Sequence, residues 1–181
     1  MSNFSEETIT SETLYEGKIL DLKKHKVKLI DGNTSMREIV EHSGGVCIIP
    51  VTEQNEIIMV RQYRKAPEEI LLELPAGKLE IGEEPVNCAY RELLEETGYK
   101  AEKLEKLFSF YTTPGYSNEI LHLYYGKVSY HTEISLDSDE FIEIDKIKPK
   151  DIMNLILKEE IKDSKTIIGL LYFLRGDKDA K

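Results

Sequence analysis

The chain has 181 residues, 40% of them hydrophobic, and carries 24 Lys and Arg against 34 Asp and Glu for a formal net charge of −10. That is enough for one well-buried domain plus a small appendage. The acidic balance, with a pI near 5.0, argues against a nucleic-acid groove, since no basic run with interleaved aromatics offsets it.

No apolar stretch approaches the roughly 18 residues of a membrane span, and the start MSNFSEET has neither a basic opening nor an apolar core. A cytoplasmic protein without membrane partners is therefore expected. Cys47 falls in an apolar run and Cys88 in a helical one, so both thiols read as packing groups rather than a disulfide or a nucleophile.

In chain order, Ile19 to Ile30 and Met36 to Glu41 alternate around Asp31-Gly32, a hairpin signal. These belong to an N-terminal antiparallel β unit, residues 1–42, too small to bury both faces alone and expected to pack on the core or on another subunit. The core begins near Ser43. Val46 to Val51 and Ile57 to Val60 are β-branched runs joined by Glu53-Gln54-Asn55-Glu56, and Leu71, Leu72, Leu74 and Pro75 lead into Ala76-Gly77, with Gly82 breaking the chain again.

Pro85 suits a first helical position and Gly98 the left-handed residue past the end, which predicts a helix between them. Ile120 to Val128 reads as a strand, as does Phe141 to Ile147. Pro149 opens a helix carrying Ile152, Leu155 and Ile156, and a further helix carries Ile167, Ile168, Leu171 and Leu174. Strands flanked by helices imply an α+β sandwich.

The helix from Pro85 is the most informative element. At 100° per residue Val86, Ala89, Tyr90 and Leu93 share one face, and Glu92, Glu95 and Glu96 are expected on roughly the opposite one. On a solvated helix, like charges at these spacings cost only about 0.2–0.5 kcal/mol per pair. In a partly desolvated cleft, a pair about 5.5 Å apart at an effective dielectric near 20 repels by about 3 kcal/mol, and then either the pKa values rise or cations bind. The Gly-punctuated approach brings main chain close to this face, so the Ala76 carbonyl joins the candidate ligands. An all-oxygen set suits Mg²⁺ or Mn²⁺, and no Cys/His set has zinc spacing.

Gly77, five residues, Glu83, seven residues, then Arg91-Glu92-Leu93-x-Glu95-Glu96-x-Gly98-Tyr99 resembles the full signature of the Nudix hydrolases. The resemblance implies a Nudix-type α/β/α sandwich with a mixed sheet over residues 43–181. It also implies cleavage of a nucleoside diphosphate linked to another moiety, with Ala76, Glu92, Glu95 and Glu96 holding Mg²⁺ or Mn²⁺ and Arg91 orienting a carboxylate.

Pro114, about fifteen residues past the signature, resembles the marker of the ADP-ribose pyrophosphatase branch. That branch implies hydrolysis of ADP-ribose to AMP and ribose 5-phosphate. Carried over, Arg37 lies near adenine on the strand that also holds Glu38, Arg64 near a phosphate or ribose, and Thr113, Pro114, Gly115 and Glu119 form the substrate loop. Lys18 and Ile19 match positions that reach a partner's site in a homodimer with exchanged N-terminal strands. The branch takes a general base from a mobile acidic loop, matched here by Glu140, with Asp139 and Glu143 as alternative registers. Other nucleoside diphosphate sugars or dinucleotides remain open as substrates, as does a non-catalytic ADP-ribose-binding module.

Overall fold

The computed structural model describes residues 4–136 and 141–179. The chain forms two compact units: one takes Met1–Gly44 and Tyr111–Ile120, the other Gly45–Phe110 and Leu121–Lys181.

The smaller unit is an antiparallel meander of β1 (Glu7–Glu16), β2 (Leu20–Lys28) and β3 (Thr34–His42). Its second turn is made by Asp31, whose carboxylate accepts hydrogen bonds from the Asn33 backbone N–H at 2.9 Å and side-chain amide at 2.8 Å. This is the local bonding that favours Asp in turns. All ten residues of β1 are exposed, and its register against β2 shifts between Thr8 and Thr10 and between Thr13 and Tyr15. The segment 111–120 joins this unit by main-chain bonds to β3. Val40 N–H donates to the Tyr116 carbonyl at 2.7 Å, Asn118 N–H donates to the Val40 carbonyl at 3.2 Å, and the Asn118 side-chain oxygen accepts from His42 N–H at 2.8 Å.

The larger unit is built on an eight-stranded mixed sheet. Its strands are β4 (Gly45–Thr52), β5 (Ile57–Arg64), β6 (Glu69–Glu73), β7 (Ala76–Lys78), β8 (Tyr99–Ala101), β9 (Glu105–Tyr111), β10 (Ile120–Tyr130) and β11 (Ile142–Ile147). The main path runs β11-β5-β4-β10-β8, with β6 on β5, β7 on β4 and β9 on β10. β4 and β10 are parallel, Gly45 facing Leu121 through to Thr52 facing Val128.

Every residue of β4 is buried, the pattern of a strand covered on both faces. Alternate side chains serve the two layers. Val46 and Ile48 pack with Cys88, Ala89 and Leu93 of α1 (Pro85–Thr97), while Cys47, Ile49 and Val51 pack with Ile152 of α2 (Pro149–Leu157) and Leu170 of α3 (Ser164–Asp179). The architecture is the expected α/β/α sandwich, with the N-terminal antiparallel sheet apart from it. Both cysteines are reduced and buried, and burial pushes each thiol up to about 12, as inert packing groups require. Among the described residues no helix is long and apolar enough to cross a membrane.

Candidate active site on the helix after β7

Local rules set the frame of the site. Pro85 occupies the first turn of α1, and Gly98 ends it at φ 70° with its N–H donating to the Leu94 carbonyl at 2.8 Å. A side chain at Gly98 is barred twice, because a β-carbon there would lie 2.2 Å from the Thr132 carbonyl oxygen. At the other end of the motif, β7 runs beside β4, and its Gly77 backbone is pressed against the helix. A β-carbon on Gly77 would lie 1.8 Å from the Glu92 carboxyl carbon. The glycine is what lets that carboxylate reach the main chain.

Arg91 ties the carboxylates together. Its Nε and one terminal nitrogen donate to the two Glu83 oxygens at 3.0 and 2.9 Å, and the other terminal nitrogen donates to Glu92 at 2.7 Å and Glu95 at 3.1 Å. Bidentate forks of this kind are the stronger charge-assisted bonds. The Arg91 bonds hold the Glu83 carboxyl down to about 2, and Glu83 in turn keeps Arg91 above the usual guanidinium range despite partial burial.

Glu96 departs from the expected outward face. It is only 4% exposed, and its carboxylate accepts the Ala76 N–H at 3.0 Å. Seven residues after the buried Ala89, it comes within about 20° of that position around the helix. The acidic residues therefore divide: Glu92 and Glu95 meet Arg91, and Glu96 turns in toward β7.

These groups pass a donor test for a hard cation. Glu92, Glu95, Glu96 and the Ala76 carbonyl offer only oxygen, and the space left by Gly77 admits the Glu92 carboxylate to the same backbone. Among the described residues no three His, Cys, Asp or Glu side chains converge in metal-ligating geometry. The reason is visible in the bonds, which draw Glu92 and Glu95 onto the guanidinium.

Arg64, at the end of β5, forks onto Glu73 of β6, its Nε and one terminal nitrogen each donating at 2.8 Å. Glu73 is 1% exposed and also pairs with Lys165. Burial works to raise the Glu73 carboxyl, but Arg64 and Lys165 bring it net below its ordinary value. Sequence reasoning missed Glu73 and Lys165. The signal for the first was a lone acid inside the apolar run Leu71-Leu72-Glu73-Leu74.

The smaller unit holds the remaining sequence-derived candidates apart from the acidic segment leading into β11. Arg37 of β3 is forked onto Glu6, Nε to one oxygen at 2.9 Å and a terminal nitrogen to the other at 2.5 Å, and Glu38 follows it on the same strand. Thr113 closes the loop by accepting the N–H groups of Tyr116 at 3.1 Å and Ser117 at 3.0 Å through its carbonyl, and Pro114 and Gly115 form the exposed bend between. Glu119 accepts the Thr112 hydroxyl at 2.7 Å. Lys18 and the exposed Ile19 lie in the connection between β1 and β2. Asp139 and Glu140 lie outside the described residues, and Glu143 is an exposed residue of β11 facing Arg61 of β5.

Comparison with known proteins finds relatives along almost the whole chain. The family model for the NUDIX domain matches residues 41–168. A Bacillus subtilis protein named ADP-ribose pyrophosphatase is 44% identical over 174 residues, covering 95% of this chain and 94% of that protein. A Bacillus methanolicus protein named Methanol dehydrogenase activator is 45% identical over 171 residues, covering 93% of this chain and 92% of that one. A solved structure described as "Crystal structure of ADP compounds hydrolase" superposes with a TM-score of 0.84 over 98% of both chains at 19% identity, a likeness of fold. With the family model covering residues 41–168 and the whole Gly77–Tyr99 motif, this chain belongs to the NUDIX domain family.

Proposed function

We propose that this protein hydrolyses the pyrophosphate bond of ADP-ribose to AMP and ribose 5-phosphate and requires Mg²⁺ or Mn²⁺. The observation that carries the reading is Arg91 bonded to Glu83, Glu92 and Glu95 beside the Gly77 backbone, in a chain 44% identical to a named ADP-ribose pyrophosphatase.

Glu92, Glu95, Glu96 and the Ala76 carbonyl would hold the cation. When bound, it supplies charge stabilisation at the phosphoryl oxygens and a nucleophilic water near neutral pH. The chain's own contributions are positional and acid–base. Arg91 sets the directions of Glu92 and Glu95, and the Ala76 N–H fixes Glu96. Arg64 offers a guanidinium edge to a phosphate or ribose oxygen. Glu140, or Asp139 or Glu143 in a shifted register, accepts the proton of the attacking water.

On the adenosine side, Arg37 takes the ring, its fork onto Glu6 leaving a planar group suited to stacking. Glu38, Thr113, Pro114, Gly115 and Glu119 shape the remainder of that recognition. The protein acts in the cytoplasm as a homodimer with exchanged N-terminal strands, through which Lys18 and Ile19 serve the partner's site. The exposed Ile9, Leu14, Tyr15, Ile19 and Met36 of the smaller unit support such a contact.

Two measurements test the reading. Glu96→Gln should cut turnover of ADP-ribose by about a hundredfold or more with the fold retained, and a near-normal rate would remove Glu96 from the site. A panel of ADP-ribose, GDP-sugars and dinucleotides compared by kcat/KM should rank ADP-ribose first. The Bacillus methanolicus relative supports a second reading, in which nucleotide hydrolysis serves to activate a dehydrogenase. An increase in dehydrogenase rate on adding this protein, absent with Glu96→Gln, would favour it.

A further inference from the structure

A chain of charges runs through the larger unit beside the acidic motif, whose Glu96 adds its charge to those acting on Arg64. Asp163 accepts the Thr166 N–H at 2.9 Å at the start of α3 and pairs with Lys165 at 3.0 Å. Lys165 reaches Glu73, and Glu73 holds Arg64 in a two-bond fork. Glu73 is the most buried member, its side chain 1% exposed, and Arg64 the most open at 40%.

A buried ion-pair row is weak evidence for stability, because apolar replacements of similar volume are often neutral or better. Its geometry is informative instead. The fork engages Nε and one terminal nitrogen of Arg64, and the second terminal nitrogen has no hydrogen-bond partner among the described residues. The outer end of a half-exposed guanidinium is thus held in one orientation with donors to spare, which is how planar recognition of an oxyanion is preorganised. The same helix start also anchors the approach to the motif, since the Leu74 N–H donates to the Thr166 hydroxyl at 2.9 Å.

We infer that Glu73, backed by Lys165, is the positioning residue for Arg64, gripping two guanidinium nitrogens so that the third is presented to a diphosphate oxygen of the substrate. The inference rests on the reading that Arg64 meets a phosphate or ribose oxygen of the substrate, and takes the phosphate. Lys165 has a specific part. With Arg64 alone the buried carboxylate could follow the arginine's motion, whereas a second cation bonded from α3 pins it to the helix.

The test is a double-mutant cycle on ADP-ribose hydrolysis with Mg²⁺, using the full chain and checking the fold of each variant. Glu73→Gln should raise KM about tenfold with kcat changed less than about threefold, and should move KM less than about twofold when Arg64→Ala is already present. An equal rise in both backgrounds would overturn the inference, since Glu73 would then act without Arg64. So would an unchanged KM in folded Glu73→Gln. If Glu73→Gln does not fold, Lys165→Met is read in the same cycle by the same criteria. A wild-type protein inactive on ADP-ribose, or a normal KM for Arg64→Ala, would overturn the underlying functional reading and this inference with it.

Discussion

The two sheets of this chain use strands of opposite texture. β4 in the larger unit is buried at all eight positions, while β1 in the smaller unit is exposed at all ten. The first is specified by apolar side chains on both faces, with α1 on one side and α2 and α3 on the other. The second is held by its ladder to β2 and by little side-chain burial of its own. A strand of that kind contributes surface rather than core.

The largest expected difference between the regions is chemical. Gly77→Ala, in the larger unit, should lower ADP-ribose turnover by about a hundredfold or more, because the added carbon would collide with the Glu92 carboxylate. Gly32→Ala in the β2–β3 turn, where a β-carbon meets nothing within 4 Å, strains only the backbone at φ 87°, and should leave the rate within about twofold. Equal losses would erase the distinction.

Next comes stability. Leu93→Ala should cost about 2–5 kcal/mol in denaturant unfolding, since the side chain is fully buried against β4. Ile9→Ala on β1 should stay within about 0.5 kcal/mol in a monomer. A large, concentration-dependent effect of Ile9→Ala would instead reveal a covered face and support the dimer, as would a dimeric mass in sedimentation.

A smaller effect is the pH dependence of the buried row. The Glu73 carboxyl titrates below its ordinary 4.5 in the folded protein, so its contribution is full above that value and lost as pH falls through the lowered one. Burial lowers Lys165 while Asp163 and Glu73 raise it, with a net rise above 10.5, so its contribution is full below that value and lost as pH rises through the raised one. The melting temperature of wild type should therefore fall more steeply in acid than that of Glu73→Gln. Parallel curves would mean that the pair adds no pH-dependent stability.

The same contrast explains what was legible in the sequence. Pro85 and Gly98 marked the ends of α1 within a residue because capping is local, and β4 and β5 announced themselves through β-branched runs. Of the Arg91 partners, Glu95 followed from its four-residue helical spacing, whereas Glu83, eight residues back, shows only in the fold. Glu96 was misplaced because a coarse division into two faces hid its closeness to Ala89. Glu73 and Lys165 could not be joined in advance, since 92 residues separate them and only the packing of α3 on the sheet brings them together. The three-residue β7 and β8 were too short for any periodicity to show.

The central claim is that the acidic helix face beside Gly77 holds divalent cations against a diphosphate. Titration calorimetry of Mg²⁺ or Mn²⁺ into the folded protein, with and without AMP, tests it most directly. Saturable uptake that is lost in Glu92→Gln and Glu96→Gln is the expected result. No uptake by the wild-type chain under either condition, or uptake unchanged in both variants, would contradict it.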